Sequence, residues 1–508
     1  MLTPNINREE PVAKSIKEHQ VAVQRAFGKA FAIADSRKRR SFHEIERNLW
    51  SALFELGRAL VMLALAQAVV RRQASTYKRG ATRFVMADEV RTAELGTMFG
   101  KVPFERPIAR PMGAPRGGCD LPVDRELGLC SGFSLGVVLA TTRLCAQMAF
   151  ASARQTFEQF CQWAPSPRAA LRMVDAVGGR ARAFLEQAPP PDDDGEVLVL
   201  QVDAKGAPTI SSRERARRAR PRRVKHGNNR RHRQRRRRHE HPHHRRKPGE
   251  KSKNANMAVV GVLYTLRRDE EGLLDGPVNK RVYATFSGHR ALFEWLHREA
   301  VKRGYGTDKF ERVHFLADGA KAIWKLQMEF FPDAEVALDW YHVSEKLWAV
   351  AKCIHRKDRD ERAAWVKRQQ RQLRNGSFFA LMTDLQVALQ DTPLTGPGNK
   401  YRRKILSVTI EHFDNNRLRM RYQRLRRLDL DIATGVVEGA VRHVVGIRFD
   451  GPGMRWGDRR ERLLHLRCAF INGQWPQLGE YLAADRGFRL PPKPLPAQPY
   501  DAKTKAAA

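Results

Sequence analysis

Residues 314–324 read HFLADGAKAIW. An apolar run stops at Asp318, and a helix-like pattern follows. Taken alone, such an acid is most simply a helix N-cap, accepting free N–H groups of the first turn. The surrounding chain gives it a second setting. Upstream, EVLVLQVDA (196–204) is a buried-strand pattern ending on Asp203, MAVVGVLYTL (257–266) a second strand and KRVYATF (280–286) a third. GHRALFEWLHREAVKRG (288–304) has helical spacing. RVHFLAD (312–318) is a strand, GAKAIWKLQMEFF a helix and AEVALDW (334–340) a strand, and YHVSEKLWAVAKCIHR begins another helix. This order predicts an α/β domain with a mixed sheet.

The chain has 508 residues, with 93 Lys and Arg against 55 acids and a formal net charge of +38. Hydrophobic residues make up 42% and charged residues 29%, a globular composition with a basic excess. Such an excess favours a polyanionic partner, because each phosphate neutralised releases condensed counterions. A membrane surface is the competing polyanion. The apolar stretch ALVMLALAQAVV is about a dozen residues flanked by arginines, too short to span on that count. No signal-peptide core follows the first Met, and six cysteines without a CxxC pair point to a reducing cytosol. Cys119 and Cys130 are too isolated to assign.

Residues 1–42 are polar and predict a flexible N-terminus. Residues 43–73 carry apolar positions at helical spacing, and residues 82–110 alternate as in a β-hairpin. A helical block at 120–187 contains a helix, a Pro-Ser-Pro break and a second helix, compatible with a helix-turn-helix unit or with two packed core helices. Residues 43–190 thus read as a mostly helical region and a candidate for DNA binding. QAPPPDDDGE (187–196) is a linker pattern. The core is expected over 195–341 and 429–475, interrupted by a helical stretch at 342–428. A C-terminal helix and a disordered Pro- and Lys-rich tail are expected over 476–508.

Between the first two strands, residues 213–253 hold 20 Lys or Arg against 3 acids. Such a run cannot bury a core and is expected to be disordered without a partner. Arg217, Arg218, Arg222, Arg223, Arg235, Arg236, Arg237 and Arg238 are its candidate nucleic-acid contacts; a merely solvated loop is the alternative. His239, His241, His243 and His244 lack neighbouring carboxylates and are weak metal candidates.

Three acids remain: Asp203, Asp318, and Glu438 at the start of a helix in ATGVVEGAVRH. The strand–helix order resembles that of an RNase H-like core, and that resemblance implies that the first and fourth strands are neighbours. Three carboxylates gathered there would repel one another or call for a cation. Mg²⁺ (or Mn²⁺), expected as two ions in such chemistry, suits oxygen ligands and phosphate.

LVLQVDAKG, HFLADGAKAIW, ALDWYHVSEKLW and TGVVEGAVRHVVGIRFDGPGMRW resemble bacterial insertion-sequence transposases of the ISKra type, in the Mutator-like group of DDE transposases. The resemblance covers about residues 195–475, and LPVDRELGLCS more loosely. It implies Asp203, Asp318 and Glu438 as a catalytic, metal-binding triad, and 342–428 as the helical insertion before the Glu. It also implies a second-shell or DNA-positioning role for Asp339 and His342, through a [C/D]-x-x-H signature, and stacking or phosphate contact by Arg455 and Trp456. Two features depart from the pattern: Ala204 follows the first acid in place of Gly, and the Arg-rich run is long. The implied activity is metal-dependent cleavage and strand transfer of DNA at the element's terminal inverted repeats and its target. The expected setting is the bacterial cytoplasm, near the nucleoid, as a homodimer or larger assembly with no membrane partner. A nuclease or resolvase that cuts without joining, an inactive DNA-binding relic, and an RNA-binding protein using the Arg-rich run are the alternatives.

Overall fold

The computed structural model describes residues 9–71, 75–113, 118–211, 213–214, 255–451, 454–485 and 487–491. The Arg-rich candidates from Arg217 to Arg238, the histidines 239–244 and the tail beyond 491 lie outside these residues. The chain divides into two units, one of residues 1–181 with 475–508 and one of residues 182–474.

In the first unit, the segment expected to be flexible instead contains helix α1 (Glu9–Ala34), which packs on α2 (Phe42–Arg71). Ala26 and Ala30, four residues apart, supply α1 with a buried face despite its polar composition. A reciprocal cap starts α2: Ser41 Oγ accepts the Glu44 N–H, and the Glu44 carboxylate accepts the Ser41 N–H at 3.2 Å. Apolar character in α2 runs beyond the dozen residues singled out above. By length and composition it is the one helix among the described residues that could cross a membrane. One side of α2 is nevertheless in a protein core, where Leu65 and Ala68 meet Leu95, Val102, Phe104, Val123 and Leu129.

The expected hairpin is a three-stranded antiparallel sheet, β1 (Thr76–Arg79), β2 (Thr82–Thr97) and β3 (Gly100–Pro111). The extra strand is only four residues long, too short for alternation to reveal. Helices α3 (Pro122–Glu126), α4 (Leu135–Gln147), α5 (Phe150–Cys161) and α6 (Pro167–Gln187) follow, with the Pro-Ser-Pro break falling between α5 and α6. The helix Trp475–Ala484 returns to this unit and packs on α4.

The second unit is mixed α/β. Its strands are β4 (Val197–Pro208), β5 (Ala255–Arg268), β6 (Leu274–Thr285), β7 (Arg312–Ala317) and β8 (Glu335–Leu338), in the spatial order β6-β5-β4-β7-β8. The first three are antiparallel neighbours; β7 and β8 join parallel to β4. β4 is central, so Val197–Val202 is buried without alternation, as expected for a strand covered on both faces. Helix α7 (His289–Arg303) packs on β5 and β6. Its Arg303 is fully buried and bonds Glu299, the Asn279 carbonyl at 2.9 Å and Asp194 at 3.3 Å. The Pro-Asp segment read as a linker is therefore anchored at its end, since an unpaired buried guanidinium would be very costly.

Helix α8 (Lys321–Phe330) joins β7 to β8. Beyond β8 the chain is helical: α9 (Trp340–Ile354), α10 (Arg359–Arg374), α11 (Phe378–Gln390), α12 (Asn399–Asn415) and α13 (Tyr422–Arg427). It then returns to the sheet as α14 (Gly435–Val441), which packs on β4 and β5 and continues through a π turn at Arg442–Gly446. Helix α15 (Arg460–Ile471) packs on β6.

Candidate active site at the ends of two parallel strands

β4 and β7 pair in parallel, with Val202 opposite Ala317. The next residue on each strand is an acid, so register alone sets Asp203 beside Asp318. The two differ in setting. Asp318 follows the last residue of β7, and its Oδ1 accepts the Ala320 N–H at 2.9 Å, closing the turn into α8. Asp203 does not end its strand as expected: β4 runs on to Pro208, because it keeps an antiparallel partner in β5 as far as Ala255. Its Oδ1 accepts the Ala204 N–H at 2.6 Å.

The same geometry recurs one strand over. Asp339 follows β8 and its N–H bonds the Ala317 carbonyl at 3.0 Å. Its carboxylate is fully buried and saturated. Oδ1 accepts the Thr434 N–H at 2.9 Å; Oδ2 accepts the His342 N–H at 3.0 Å and the His342 Nδ1–H at 2.6 Å. Asp339 is thus at once the N-cap of α9 and a clamp on the segment that precedes α14.

Further hydrogen bonds hold the segment that precedes Glu438 to the strands. The buried amide of Gln201 accepts the Val437 N–H at 3.0 Å and donates to Tyr264 Oη at 2.9 Å. Tyr264 donates in turn to Asp431. His314, buried within β7, has its ring nitrogens 2.8 Å from the Glu335 carbonyl and 2.7 Å from that of Asp431. Main chain adds Trp340 N–H to Ile432 O at 2.9 Å. The segment 431–437 is therefore held to β4, β7 and β8 at several points, and Glu438 is the next residue along.

The electrostatics show which side chains share one field. Burial pushes the Asp203 carboxyl up, and the negative charges of Asp318 and Asp339 push it the same way. Burial also raises Glu438, followed by Asp339 and Asp203. Burial would raise Asp339 too, but the hydrogen bonds from His342 and Thr434 outweigh it and hold it below the usual range. His342 is pushed up to about 9, first by its bond to Asp339 and then by the charges of Asp339, Asp318 and Asp203. At neutral pH it is an imidazolium facing several carboxylates.

The helical stretch contributes a second histidine. The His412 ring, on α12, lies against Gly319: a Cβ on Gly319 would fall 2.1 Å from His412 Cε1. Its Nε2 is buried without a hydrogen-bond partner. Burial lowers His412 to about 4, and the positive charge of Lys346 adds to that, while Asp318 opposes.

Among the expected residues, the charges of Asp318 and Asp339 reach Asp203, those of Asp339 and Asp203 reach Glu438, and those of Asp339, Asp318 and Asp203 reach His342. Arg455 is exposed, and nothing described brings it to these acids. Trp456 is engaged elsewhere. Its main chain pairs with Pro208 and Ile210, its Nε1–H bonds the Phe449 carbonyl at 3.0 Å, and Arg448 lies over its ring at 4.7 Å. Sequence reading missed Gln201, Thr434, Lys346 and His412. Gln201 carried a signal, as a polar residue inside the apolar run LVLQV. Lys346 carried a weaker one, four residues after His342 on the same helix face. Thr434 acts through its backbone, and the place of His412 depends on a helix more than 90 residues downstream of Gly319; neither has a local signature.

Among the described residues, no three His, Cys, Asp or Glu side chains are gathered closely enough to hold a metal ion as they stand. The donors that share the field are hard carboxylate oxygens, the class that suits Mg²⁺ or Mn²⁺.

No family model matches the chain, and no curated protein is similar to it. One solved structure to which it is similar is a Drosophila P element transposase strand transfer complex, at 11% identity and a TM-score of 0.28, over 66% of this chain and 91% of that one. At that score the likeness establishes neither a shared fold nor a shared activity.

Proposed function

We propose that the chain is a DDE-type DNA transposase of the ISKra and Mutator-like kind, with an RNase H-like core interrupted by a helical insertion. The observation that carries this reading is that the charge of Asp318 reaches Asp203 and the charge of Asp203 reaches Glu438. Adjacent register brings the first two together, and the Gln201–Val437 bond holds the third. The motifs quoted above and the net charge of +38 supply the substrate class, a nucleic-acid backbone.

Asp203, Asp318 and Glu438 would hold the divalent ions, whose contribution is to polarise a phosphodiester and the attacking water or 3′-hydroxyl. Burial raises Asp203 and Glu438, neighbouring carboxylates add to it, and a cation displaces protons from carboxyl groups so raised. Asp339 keeps His342 charged and oriented, with Nδ1–H committed to the carboxylate and Nε2 left for the substrate side. Strand transfer by direct attack needs no covalent protein intermediate, so no Ser or Tyr nucleophile is assigned. Two element ends held together require at least two copies of the chain.

The test uses supercoiled plasmid and a labelled oligonucleotide with a free 3′-hydroxyl, with Mg²⁺ or Mn²⁺, for the wild type and Asp318→Asn. Metal-dependent joining of label to plasmid, absent from Asp318→Asn, is the expected result. Cleavage without joining would make the protein a nuclease. Binding without chemistry in either protein would overturn the reading.

A further inference from the structure

Lys346 sits one turn after His342 on α9 and is only half exposed. Among the described residues it has neither a hydrogen bond nor an ion pair. Several other partly buried cations of this unit are paired. Lys302 donates to the carbonyls of Glu186 and Ala188, Arg402 to Cys353 O and Asn399, and Arg403 to Leu389 O and Thr392 O. An ammonium that loses water without gaining a partner is a cost the fold carries for no structural return.

Its neighbours give that cost a direction. Helix α9 packs on α12, and His412 feels the charges of both Lys346 and Asp318, so both groups lie near the same imidazole. His412 in turn lies against Gly319, the residue after Asp318. Carboxylate, imidazole and ammonium are therefore neighbours. The first belongs to the sheet; the other two belong to the helical stretch.

We infer that Lys346 is a phosphate-binding residue of this site, holding a backbone phosphate next to the one that meets the carboxylates. A carboxylate partner would have neutralised Lys346 permanently; its absence leaves the ammonium for an anion that comes and goes. The inference rests on the nucleic-acid reading above and assigns the helical stretch a direct share in substrate binding.

The experiment measures binding of the full-length protein to a short random-sequence duplex over a range of salt, for wild type, Lys346→Gln and Lys346→Arg. One lost phosphate contact lowers the slope of log affinity against log salt by about 0.9. The expected result is that loss in Lys346→Gln and its recovery in Lys346→Arg. Wild-type slope and affinity in Lys346→Gln would overturn the assignment, as would a loss that Lys346→Arg does not recover. Plasmid nicking by Asp318→Asn, run in parallel, separates the two claims. If Asp318→Asn is inactive while Lys346→Gln binds normally, the carboxylate reading stands and Lys346 falls. If Asp318→Asn nicks like wild type, the carboxylate reading falls and the slope still decides whether Lys346 meets a phosphate.

Discussion

Asp339 Oδ2 lies 2.6 Å from His342 Nδ1, while Asp339 Oδ1 accepts the Thr434 N–H, 95 residues downstream. One buried carboxylate thereby ties the start of α9 to the start of α14. Asp339→Ala strips partners from a buried N–H and from a histidine. Each buried polar group left unsatisfied costs about 1–3 kcal/mol. Denaturant titration of Asp339→Ala is expected to show a loss on that scale. Asp339→Asn, which keeps the oxygen facing Thr434, is expected to lose less. Equal stability in Asp339→Ala and wild type would contradict the clamp.

The same pair sets a pH dependence. His342 titrates at about 9 when folded, above the ordinary histidine value of 6.5. Its contribution to stability is fully present below pH 6.5 and is lost as pH rises through about 9. Unfolding midpoints at pH 7 and pH 10 are expected to differ more for wild type than for His342→Gln. Parallel pH curves for the two proteins would rule this out. NMR titration of the His342 ring gives the value directly.

Gln201 is the only bridge described between β4 and the first turn of α14 through a side chain. Gln201→Leu keeps the volume and removes both hydrogen bonds, leaving the Val437 N–H and the Tyr264 hydroxyl to find other partners. A stability loss of about 1–3 kcal/mol is expected. Strand cleavage is expected to fall by roughly tenfold or more, since a small displacement of a reacting group is costly. Unchanged turnover would mean that Glu438 is placed by other means.

Gly319→Ala tests the seating of His412. The new methyl meets an imidazole that packing holds in place, so overpacking of about 1–3 kcal/mol is expected. The double change Gly319→Ala with His412→Ala makes room for the methyl and is expected to recover part of that loss. No recovery would show that the backbone, not the ring, is what resists the methyl.

The sheet was legible because its strands are short apolar runs between clear helical periods, and β4, buried on both faces, is the plainest of them. Asp318 was legible for the same reason, as a carboxylate where an apolar run stops. Asp203 was legible as an acid but not as mid-strand, because nothing in EVLVLQVDA reveals that β5 continues to pair beyond it. The helix α1 was missed because its buried face is made of alanines, which carry little hydropathy contrast. The histidine on Gly319 and the clamp at Thr434 are tertiary facts, set by where distant helices dock.

Those distant connections also order events during synthesis. Gln201 meets Val437 across 236 residues, His314 meets Asp431 across 117, and Asp339 meets Thr434 across 95. A ribosome that has made the strands and both aspartates has not yet made the residues that complete their surroundings. A nascent or truncated chain ending before residue 431 carries the basic run, Asp203 and Asp318 but not Glu438 or the segment that holds it, so these surroundings form only once the second unit is nearly complete.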